Sequence, residues 1–339
     1  PQMAETYAHR AAALVGLGRH EEALQSCDVA LQLQPTLVKA HWCRVDALRA
    51  LKRFTALAKT CDTVLALDPD YPYALGMGLS ARLYACDWQD YDHRVNAVIT
   101  AVQQGEKCID PFSFLPVSDS PADLHACAHL KQQEIPSNLP QLCTTAPYGH
   151  QRLRLAYLSA DFHDHATAYL MAELFERHDR QHFEVFAYSF GPNASSPMRE
   201  RLIASFEHLH DVTVWTDEQV AHHMRQQEID IAVDLKGYTG QSRTQIFAFR
   251  PAPIQVNYLG YPGTMAAGFM DYLIGDAVVT PLEHDAFYTE KIVRLPGSYQ
   301  VNDSQRRIAS EAPTREECGL SAAGFVFCCF NNNYKINPP

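Results

Sequence analysis

A repeat near the amino terminus constrains the fold of this chain more strongly than any other feature of its sequence. Residues 23–35 (ALQSCDVALQLQP) align without gaps to residues 57–69 (LAKTCDTVLALDP). A fixed period predicts stacked helical hairpins, because each hairpin must bury its apolar face against the next one. The identical positions, always 34 residues apart, are Cys27 and Cys61, Asp28 and Asp62, Leu31 and Leu65, Leu33 and Leu67, and Pro35 and Pro69.

The period resembles that of the tetratricopeptide repeat, in which a turn joins two helices and a proline follows them. The turns would lie near Gly18 and Lys52, and residues 73–83 and 88–102 would form a third, degenerate hairpin. Residues 1–104 are therefore predicted to form a solenoid whose concave face binds an extended peptide or protein, and three repeats suit the trimmed end of a longer array. The alternative is a plain helical bundle whose prolines match the period by accident.

Length and composition limit the class of protein. The chain has 339 residues, of which 47% are hydrophobic and 20% are charged, so it can bury at least two cores and we expect two or more domains. The formal net charge is -11 and the sequence has no basic block, which argues against binding to nucleic acid.

Cysteine usage and hydropathy predict a soluble cytoplasmic protein. None of the ten cysteines belongs to a C-x-x-C pair, which suits the reducing cytosol. No apolar stretch approaches the roughly 20 residues that a membrane span needs, and the start at Pro1 lacks a signal segment. We therefore expect no association with membranes, and we expect the chain to be a fragment of a longer protein.

Proline-rich sequence separates the repeats from a second region. Residues 105–150 contain six prolines and no sustained period, so they are predicted to be a connector with one short helix at residues 121–133. From residue 151 onward, apolar runs alternate with helical segments, which predicts a doubly wound α/β domain around a parallel sheet. The predicted strands are residues 153–159, 183–190, 212–215, 229–235, 254–259, 272–274, 291–295 and 325–330, and the predicted helices are residues 165–177, 197–208, 217–227 and 241–249.

The loops that follow the strands carry the candidate site residues, because ligands bind beyond the carboxyl ends of the strands in such a sheet. The loop after the first strand contains Asp161, Asp164 and His165, where a carboxylate could orient the imidazole beside the free N–H groups of a helix start. Gly260 lies in a later loop, and Lys335 follows the last predicted strand. The purely structural readings are a polar residue at a helix start, a glycine that serves a turn, and a solvated surface lysine.

Motifs for common nucleotide and metal sites are missing from the sequence. It contains neither G-x-G-x-x-G nor G-x-x-x-x-G-K-[ST], which argues against a dehydrogenase or a P-loop ATPase. The D-x-D strings that begin at Asp68 and Asp90 lie in the helical repeats and are read as surface or capping carboxylates. His163 with His165 is too sparse a pair for zinc, so we predict no metal site.

Four stretches carry a closer resemblance. They are RLAYLSADFHDHATAYLMAELFERHD, VDLKGYTGQSRTQIFAFRPAPIQVNYLGYPGTMAAGFMDYLIGD, EKIVRLPGSYQ and FCCFNNNYKINP. Together with the repeats, they resemble the O-linked N-acetylglucosaminyltransferases, and a bacterial member more than the animal enzyme. The resemblance implies a tetratricopeptide superhelix followed by an α/β Rossmann-like lobe of the glycosyltransferase B fold. The first lobe would be residues 151–318, and residues 319–339 would begin an incomplete second lobe that binds the nucleotide.

The resemblance also implies roles for residues of the first lobe. His165 matches the family histidine that has been proposed as a general base or as an acceptor-site residue. Thr239, Leu259 and Gly260 match residues near the N-acetylglucosamine ring.

Three further residues match the family near the end of the chain. Asn332 stands where the animal enzymes have a glutamine at the nucleotide, which keeps an amide but shortens its reach. Tyr334 and Lys335 match a Y-K pair whose lysine contacts the diphosphate.

The implied activity is inverting transfer of N-acetylglucosamine from UDP-N-acetylglucosamine to serine and threonine hydroxyls of proteins, by base-assisted attack. Negative charge grows on the departing diphosphate, and Lys335 with a helix N-terminus could stabilise it without a metal or other cofactor. The expected partners are the UDP-sugar, a protein or peptide acceptor along the repeat groove, and the rest of the second lobe.

Two alternatives stay open. One is a related cytosolic transferase that uses another sugar or acceptor, such as glucose and asparagine. The other is a repeat-based peptide-binding scaffold with an inactive lobe, although the presence of His165, Thr239 and Lys335 argues against it.

Overall fold

The structure is a computed structural model that describes residues 2–143, 148–306 and 308–338. It divides into two compact units. The first comprises Pro1–Glu134 with Asn331–Pro339, and the second comprises Ile135–Phe330. Within the described residues, no helix combines the length and the apolar character that crossing a membrane requires.

The first unit is built from helices. They are α1 (Gln2–Gly16), α2 (His20–Leu33), α3 (Val38–Ala50), α4 (Phe54–Leu67), α5 (Ala74–Tyr84), α6 (Tyr91–Gln103), α7 (Pro111–Phe114) and α8 (Pro121–Gln132). Consecutive helices of α1 to α5 pack against each other as antiparallel neighbours joined by short turns. The helical pairs therefore confirm the predicted repeats, including the degenerate third pair.

The 34-residue period is visible in the backbone as well as in the sequence. Helices α2 and α4 begin and end at positions one period apart. The turns before them contain Gly18 and Lys52, which both adopt a left-handed backbone with φ of 73° and 55°. Cys27 and Cys61 are completely buried, and each serves as a small apolar residue in the core of its hairpin. The period therefore repeats both the left-handed turn at Gly18 and Lys52 and the buried position of Cys27 and Cys61.

The first unit continues past the boundary predicted at residue 104. The predicted short helix is present as α8, which begins at the N-cap residue Ser120, whose hydroxyl accepts a hydrogen bond from the Asp123 amide at 3.3 Å. Phe114 of α7 and Cys127 of α8 are buried in one apolar cluster with residues of α5 and α6. The first thirty residues of the predicted connector therefore belong to the helical unit, because their apolar side chains complete its core. Residues 144–147 of that connector lie outside the described residues.

The second unit is a seven-stranded sheet in which every strand pair is parallel. The strand order is β3-β2-β1-β4-β5-β6-β7. The strands are β1 (Leu153–Ser159), β2 (Phe183–Ser189), β3 (His208–Asp211), β4 (Ile231–Asp234), β5 (Ile254–Asn257), β6 (Tyr272–Asp276) and β7 (Lys291–Leu295), and the helices are α9 (Ala166–Glu176), α10 (Pro197–Ser205), α11 (Asp217–Gln226) and α12 (Gln245–Ala248). The predicted doubly wound α/β fold is confirmed.

Two predicted elements of the second unit are shifted or shortened. The strand predicted at 212–215 is wrong: β3 lies just before it, and Val214 is 90% exposed in a turn. Within the part of the chain that the structure describes, β3 pairs with β2 alone and lies at the sheet edge, where its polar sequence is tolerated. The helix predicted at 241–249 is reduced to α12, since Gln241 has a left-handed backbone with φ of 60° that an α-helix cannot include.

The strand predicted at 325–330 is also wrong for this chain. These residues have no regular secondary structure, and Phe325, Phe327 and Phe330 are 83%, 91% and 96% exposed. A strand is held by hydrogen bonds to a neighbouring strand, and among the described residues no strand pairs with this segment. The apolar sequence is therefore not sufficient to form the strand.

Candidate active site

The strand order creates a crevice at the carboxyl ends of β1 and β4. From β1 the chain proceeds to β2 and β3 on one side of the sheet, whereas β4 is followed by β5, β6 and β7 on the other side. The two strands lie side by side, with Leu158 of β1 opposite Asp234 of β4. This reversal of direction is where open α/β sheets bind ligands. The loops after β1 and β4 carry His165 and Thr239, so two of the predicted site residues lie at this crevice.

A buried ion pair joins the two loops of the crevice. The Lys236 ammonium lies 2.7 Å and 3.0 Å from the two carboxylate oxygens of Asp161, and each residue is only 5% exposed. The Asp161 amide donates a hydrogen bond to the Ser159 hydroxyl at 2.9 Å, which fixes the loop after β1. A buried charge is stable only when it is paired and hydrogen-bonded, so each partner holds the other in place.

Lys236 was not predicted from the sequence as a site residue. The available signal was its position directly after a buried apolar strand, where a lysine is unusual. Its partner Asp161 is 75 residues away in the chain, so only the sheet order shows that they meet.

His165 is the N-cap residue of α9. It has an extended backbone, with φ of -143° and ψ of 153°, and its Nδ1 accepts a hydrogen bond from the Thr167 amide at 3.2 Å. In the neutral ring the hydrogen is therefore on Nε2. The side chain is 42% exposed, so a ligand in the crevice can reach it.

The charges around His165 act in opposite directions. Burial lowers the pKa of His165, the Asp161 carboxylate raises it in part, and Lys236 and His163 lower it further. The Asp161 Oδ2 is 3.5 Å from the His165 Nδ1, which is too long for a strong hydrogen bond. The second carboxylate considered from the sequence, Asp164, accepts a hydrogen bond from the Tyr169 hydroxyl instead. The lowered pKa and the hydrogen bond that Nδ1 accepts both favour the neutral imidazole of His165, and Asp161 is paired with Lys236 instead.

The loops after β4 and β5 pack directly against each other. The Thr239 hydroxyl donates to the Lys236 carbonyl at 2.8 Å, which closes the turn after β4. A Cβ atom on Gly260 would overlap the Leu235 carbonyl oxygen, so only glycine allows this approach. Leu259, just before it, has a left-handed backbone with φ of 66°. Few non-glycine residues adopt this conformation, and those that do are concentrated at functional sites. The structure therefore brings Thr239, Leu259 and Gly260 onto adjoining loops.

Two buried acidic side chains accept hydrogen bonds from the loops after β4 and β5. The Asp234 carboxylate accepts a hydrogen bond from the Lys236 amide at 2.8 Å, and burial raises the pKa of Asp234 to about 6. The Glu290 carboxylate accepts hydrogen bonds from the loop after β5, and burial raises its pKa as well. Neither acid was predicted from the sequence, because their partners lie in other elements.

The remaining three predicted site residues belong to the first unit. Asn332 precedes a 3₁₀ turn at Asn333–Lys335, and Lys335 is exposed. The Tyr334 ring packs against the Tyr84 ring of α5 at a centroid distance of 4.8 Å, and the Asn333 amide group donates to the Tyr84 carbonyl at 3.3 Å. The structure therefore places these residues in a different unit from His165, Thr239, Leu259 and Gly260.

Potential metal ligands are dispersed in the part of the chain that the structure describes. There, no three histidine, cysteine, aspartate or glutamate side chains are grouped so that they could hold a metal ion. Asp70 and Asp90, from the two D-x-D strings, are exposed.

Comparison with models of known protein families identifies the family of this chain. The model described as glycosyl transferase family 41 matches residues 85–311, well over half of the chain. The chain belongs to glycosyl transferase family 41. The match includes the crevice between β1 and β4, and it ends before Asn332, Tyr334 and Lys335.

Relatives of this family 41 chain include proteins from a plant and an animal. A probable UDP-N-acetylglucosamine–peptide N-acetylglucosaminyltransferase of Arabidopsis thaliana is 40% identical over 195 residues, which cover 56% of this chain and 20% of that protein. A UDP-N-acetylglucosamine–peptide N-acetylglucosaminyltransferase of Caenorhabditis elegans is 35% identical over 238 residues, covering 64% of this chain and 20% of that protein. The chain thus spans about a fifth of the length of these relatives.

A bacterial structure matches more of the family 41 chain. It is a lysine-to-methionine mutant of the Thermobaculum terrenum O-GlcNAc transferase, with a TM-score of 0.69 and 25% sequence identity. The match covers 88% of this chain and 58% of that chain. The fold predicted from the sequence, helical repeats followed by a Rossmann-like glycosyltransferase lobe, is therefore confirmed.

Proposed function

We propose that this family 41 chain contributes to inverting transfer of N-acetylglucosamine from UDP-N-acetylglucosamine to serine and threonine hydroxyls of proteins. The observation that carries the proposal is the position of His165, at the start of α9 and beside the β1/β4 crevice of a family 41 fold. The names of the Arabidopsis thaliana and Caenorhabditis elegans relatives, which specify UDP-N-acetylglucosamine and a peptide, support this sugar donor and this acceptor. The loop that holds Leu259 and Gly260 is proposed to lie near the sugar, because Gly260 packs directly against the loop after β4 at this crevice.

We infer that His165 binds a substrate oxygen through its Nε2–H group. A neutral imidazole accepts a proton at its unprotonated nitrogen, and in His165 that atom is Nδ1, which already accepts the Thr167 amide. Acting as a general base would break this helix cap, whereas donating from Nε2 would not. Of the two roles that the family resemblance implies for His165, the helix cap therefore favours the acceptor-site role over the general-base role.

The test is transfer to a serine-containing peptide by the intact protein, followed by mass spectrometry. His165→Ala should lower the transfer rate by about tenfold or more, because it removes a group that orients the reactants. His163→Ala is the matched control from the same loop and should keep most of the activity. An unchanged rate in His165→Ala would overturn the proposal. Competition by UDP-glucose against UDP-N-acetylglucosamine would decide between this activity and transfer of another sugar.

Lys335 is proposed to stabilise the charge that grows on the departing diphosphate. Lys335→Ala should reduce turnover at saturating donor roughly a hundredfold, or about 3 kcal/mol, by analogy with the loss of one oxyanion donor. Lys335→Arg should restore part of the rate, since the charge returns with a different shape. Lys59→Ala, at another exposed lysine, is the control. Wild-type turnover in Lys335→Ala would show that this lysine is only a surface residue.

The reaction is proposed to need no divalent metal, since a cation from the protein and helix N–H groups can balance the diphosphate. Calorimetry of UDP binding to the intact protein should give the same affinity with and without an excess of chelator. Loss of binding in chelator would contradict this part of the proposal.

The helical repeats are proposed to hold the acceptor protein along their concave face. Deleting residues 2–67, which form α1 to α4, should weaken transfer to protein acceptors more than hydrolysis of the donor. Equal loss of both activities would instead indicate that the repeats only stabilise the fold.

A further inference from the structure

We infer that Lys236 is a positioning residue that keeps His165 neutral by neutralising Asp161. The inference deepens the proposed function and rests on it for the role of His165. Its basis is the arrangement of three side chains at the β1/β4 crevice: both oxygens of Asp161 face the Lys236 ammonium, and one of them, Oδ2, also lies 3.5 Å from the His165 Nδ1.

The geometry shows which partner Asp161 prefers. The ammonium is 2.7 Å from Oδ2, whereas the His165 Nδ1 is 3.5 Å from the same oxygen. Asp161 and Lys236 are both 5% exposed, so water screens their interaction little. When both oxygens of a carboxylate contact an ammonium group, the net charge of the pair is close to zero, so the pair has little electrostatic effect on a third group. Lys236 thus withdraws Asp161 from the imidazole.

Without that ammonium, Asp161 would change the state of the ring. An uncompensated carboxylate about 4 Å from an imidazole favours the imidazolium form. An imidazolium has a hydrogen on both nitrogens, so its Nδ1 could no longer accept the Thr167 amide that caps α9. The lysine therefore preserves both the helix cap and the single hydrogen that His165 presents from Nε2.

Other groups near His165 act in the same direction as Lys236. His163 lies on the same loop, with its ring centroid 5.7 Å from that of His165. A positive charge on His163 disfavours a second one on His165, and the positive end of the α9 dipole does the same. Asp164, also in this loop, is hydrogen-bonded to Tyr169. Asp161 is therefore the carboxylate whose effect the lysine must balance.

The experiment is a histidine titration by NMR on the 339-residue chain, with the His165 signal assigned by its loss in His165→Gln. In Lys236→Met the His165 pKa should rise by about one pH unit, and in Asp161→Asn it should fall below the wild-type value. In the double variant, which removes both charges, it should return close to the wild-type value. Circular dichroism at each pH would verify that the variants are folded.

These shifts overturn or support the inference without any enzymatic assay. An unchanged His165 pKa in Lys236→Met, or in Asp161→Asn, would overturn it. If Lys236→Met did not fold, Asp161→Asn and the double variant would still decide, because a double variant with the same low pKa as Asp161→Asn would exclude a role for Lys236. The titration uses neither donor nor acceptor, so its outcome is independent of whether the intact protein transfers N-acetylglucosamine.

A second readout connects the pair to turnover if the proposed function holds. In the intact protein, Lys236→Met should shift the acidic limb of the rate-against-pH profile upward by about one pH unit, because protonated His165 keeps its Nε2–H group but loses the Thr167 hydrogen bond that positions the ring. A merely structural role would lower the rate at every pH without moving the limb, and that result would count against the inference.

Discussion

The Glu290 carboxylate accepts a hydrogen bond from the Thr264 hydroxyl at 2.6 Å, although the two residues lie in different loops of the sheet. Its other oxygen accepts the Met265 amide, also at 2.6 Å, and Glu290 is only 4% exposed. One buried acid thus anchors the loop that follows β5 and contains Leu259 and Gly260.

Removing this acid should destabilise the second unit. Glu290→Ala leaves two buried donors without an acceptor, so we expect the free energy of unfolding to fall by about 3 kcal/mol. Glu290→Gln retains one carbonyl acceptor and should cost about half as much. Chemical denaturation followed by tryptophan fluorescence would measure both. Equal effects of the two substitutions would show that the hydrogen bonds contribute little.

Gly260 is expected to tolerate no side chain. A Cβ atom there would overlap the Leu235 carbonyl oxygen, and neither backbone can move without disturbing β4 or β5. Gly260→Ala should lower the free energy of unfolding by about 3 kcal/mol. Gly240→Ala is the matched control, because a Cβ atom at Gly240 meets nothing within 4 Å, and its effect should stay within about 0.5 kcal/mol. Similar melting temperatures for the two variants would contradict this packing.

His150 should stabilise the protein most when it is protonated. Its Nδ1 lies 2.9 Å from Asp230 and its Nε2 lies 3.0 Å from Glu228, so the imidazolium donates to both carboxylates. The hydrogen bonds to Asp230 and then Glu228 raise the pKa of His150. Because the folded pKa is above that of the unfolded chain, this stabilisation is complete below about pH 6.5 and is lost as the pH rises through the folded pKa.

The substitution His150→Gln should remove that pH dependence. We expect it to lower the free energy of unfolding by about 1 to 2 kcal/mol at pH 5.5, and by much less at pH 9. Urea denaturation at both pH values would measure the difference, with exposed His9 replaced by glutamine as the control. A His150→Gln effect that is the same at both pH values would contradict the ion pairs.

Asp234 should destabilise the protein near neutral pH, since its buried carboxylate is costly when it is ionised. Burial raises its pKa to about 6, so the protonated form stabilises the fold below about pH 3.8 and that contribution is lost as the pH rises through 6. Among the described residues, no hydrogen-bond donor reaches the buried Oδ2 of Asp234 or the buried Oδ1 of Asn257, its partner across β4 and β5.

Asp234→Asn should therefore stabilise the protein at pH 7.5, by up to about 3 kcal/mol, and have little effect at pH 4. The amide retains an acceptor for the Lys236 N–H group and supplies a donor without a charge. Melting temperatures of the variant and the wild type at the two pH values would measure this. Lower stability of the variant at pH 7.5 would show that the carboxylate is favourable when ionised.

Much of the fold could be predicted because it depends on local patterns of apolar residues in the sequence. The 34-residue period gives the helical hairpins, since the same residues must bury the same face in each repeat. Apolar runs predicted most strands of the sheet to within a few residues, because strands that are buried on both faces must be apolar. The loop that holds His165 was identified in the same way, by its place after the first strand. The roles of His165, Thr239 and Lys335 remain predictions.

The features that the sequence alone determined are thus those in which a residue's neighbours in the chain are also its neighbours in space. The tertiary structure decided the rest. It paired the polar strand β3 at the sheet edge, left residues 325–330 without a partner strand, and brought Lys236 to Asp161 across 75 residues of chain. Hydrogen bonds between strands and buried ion pairs depend on which distant segments meet, and the order of the strands decides that, whereas local hydropathy does not.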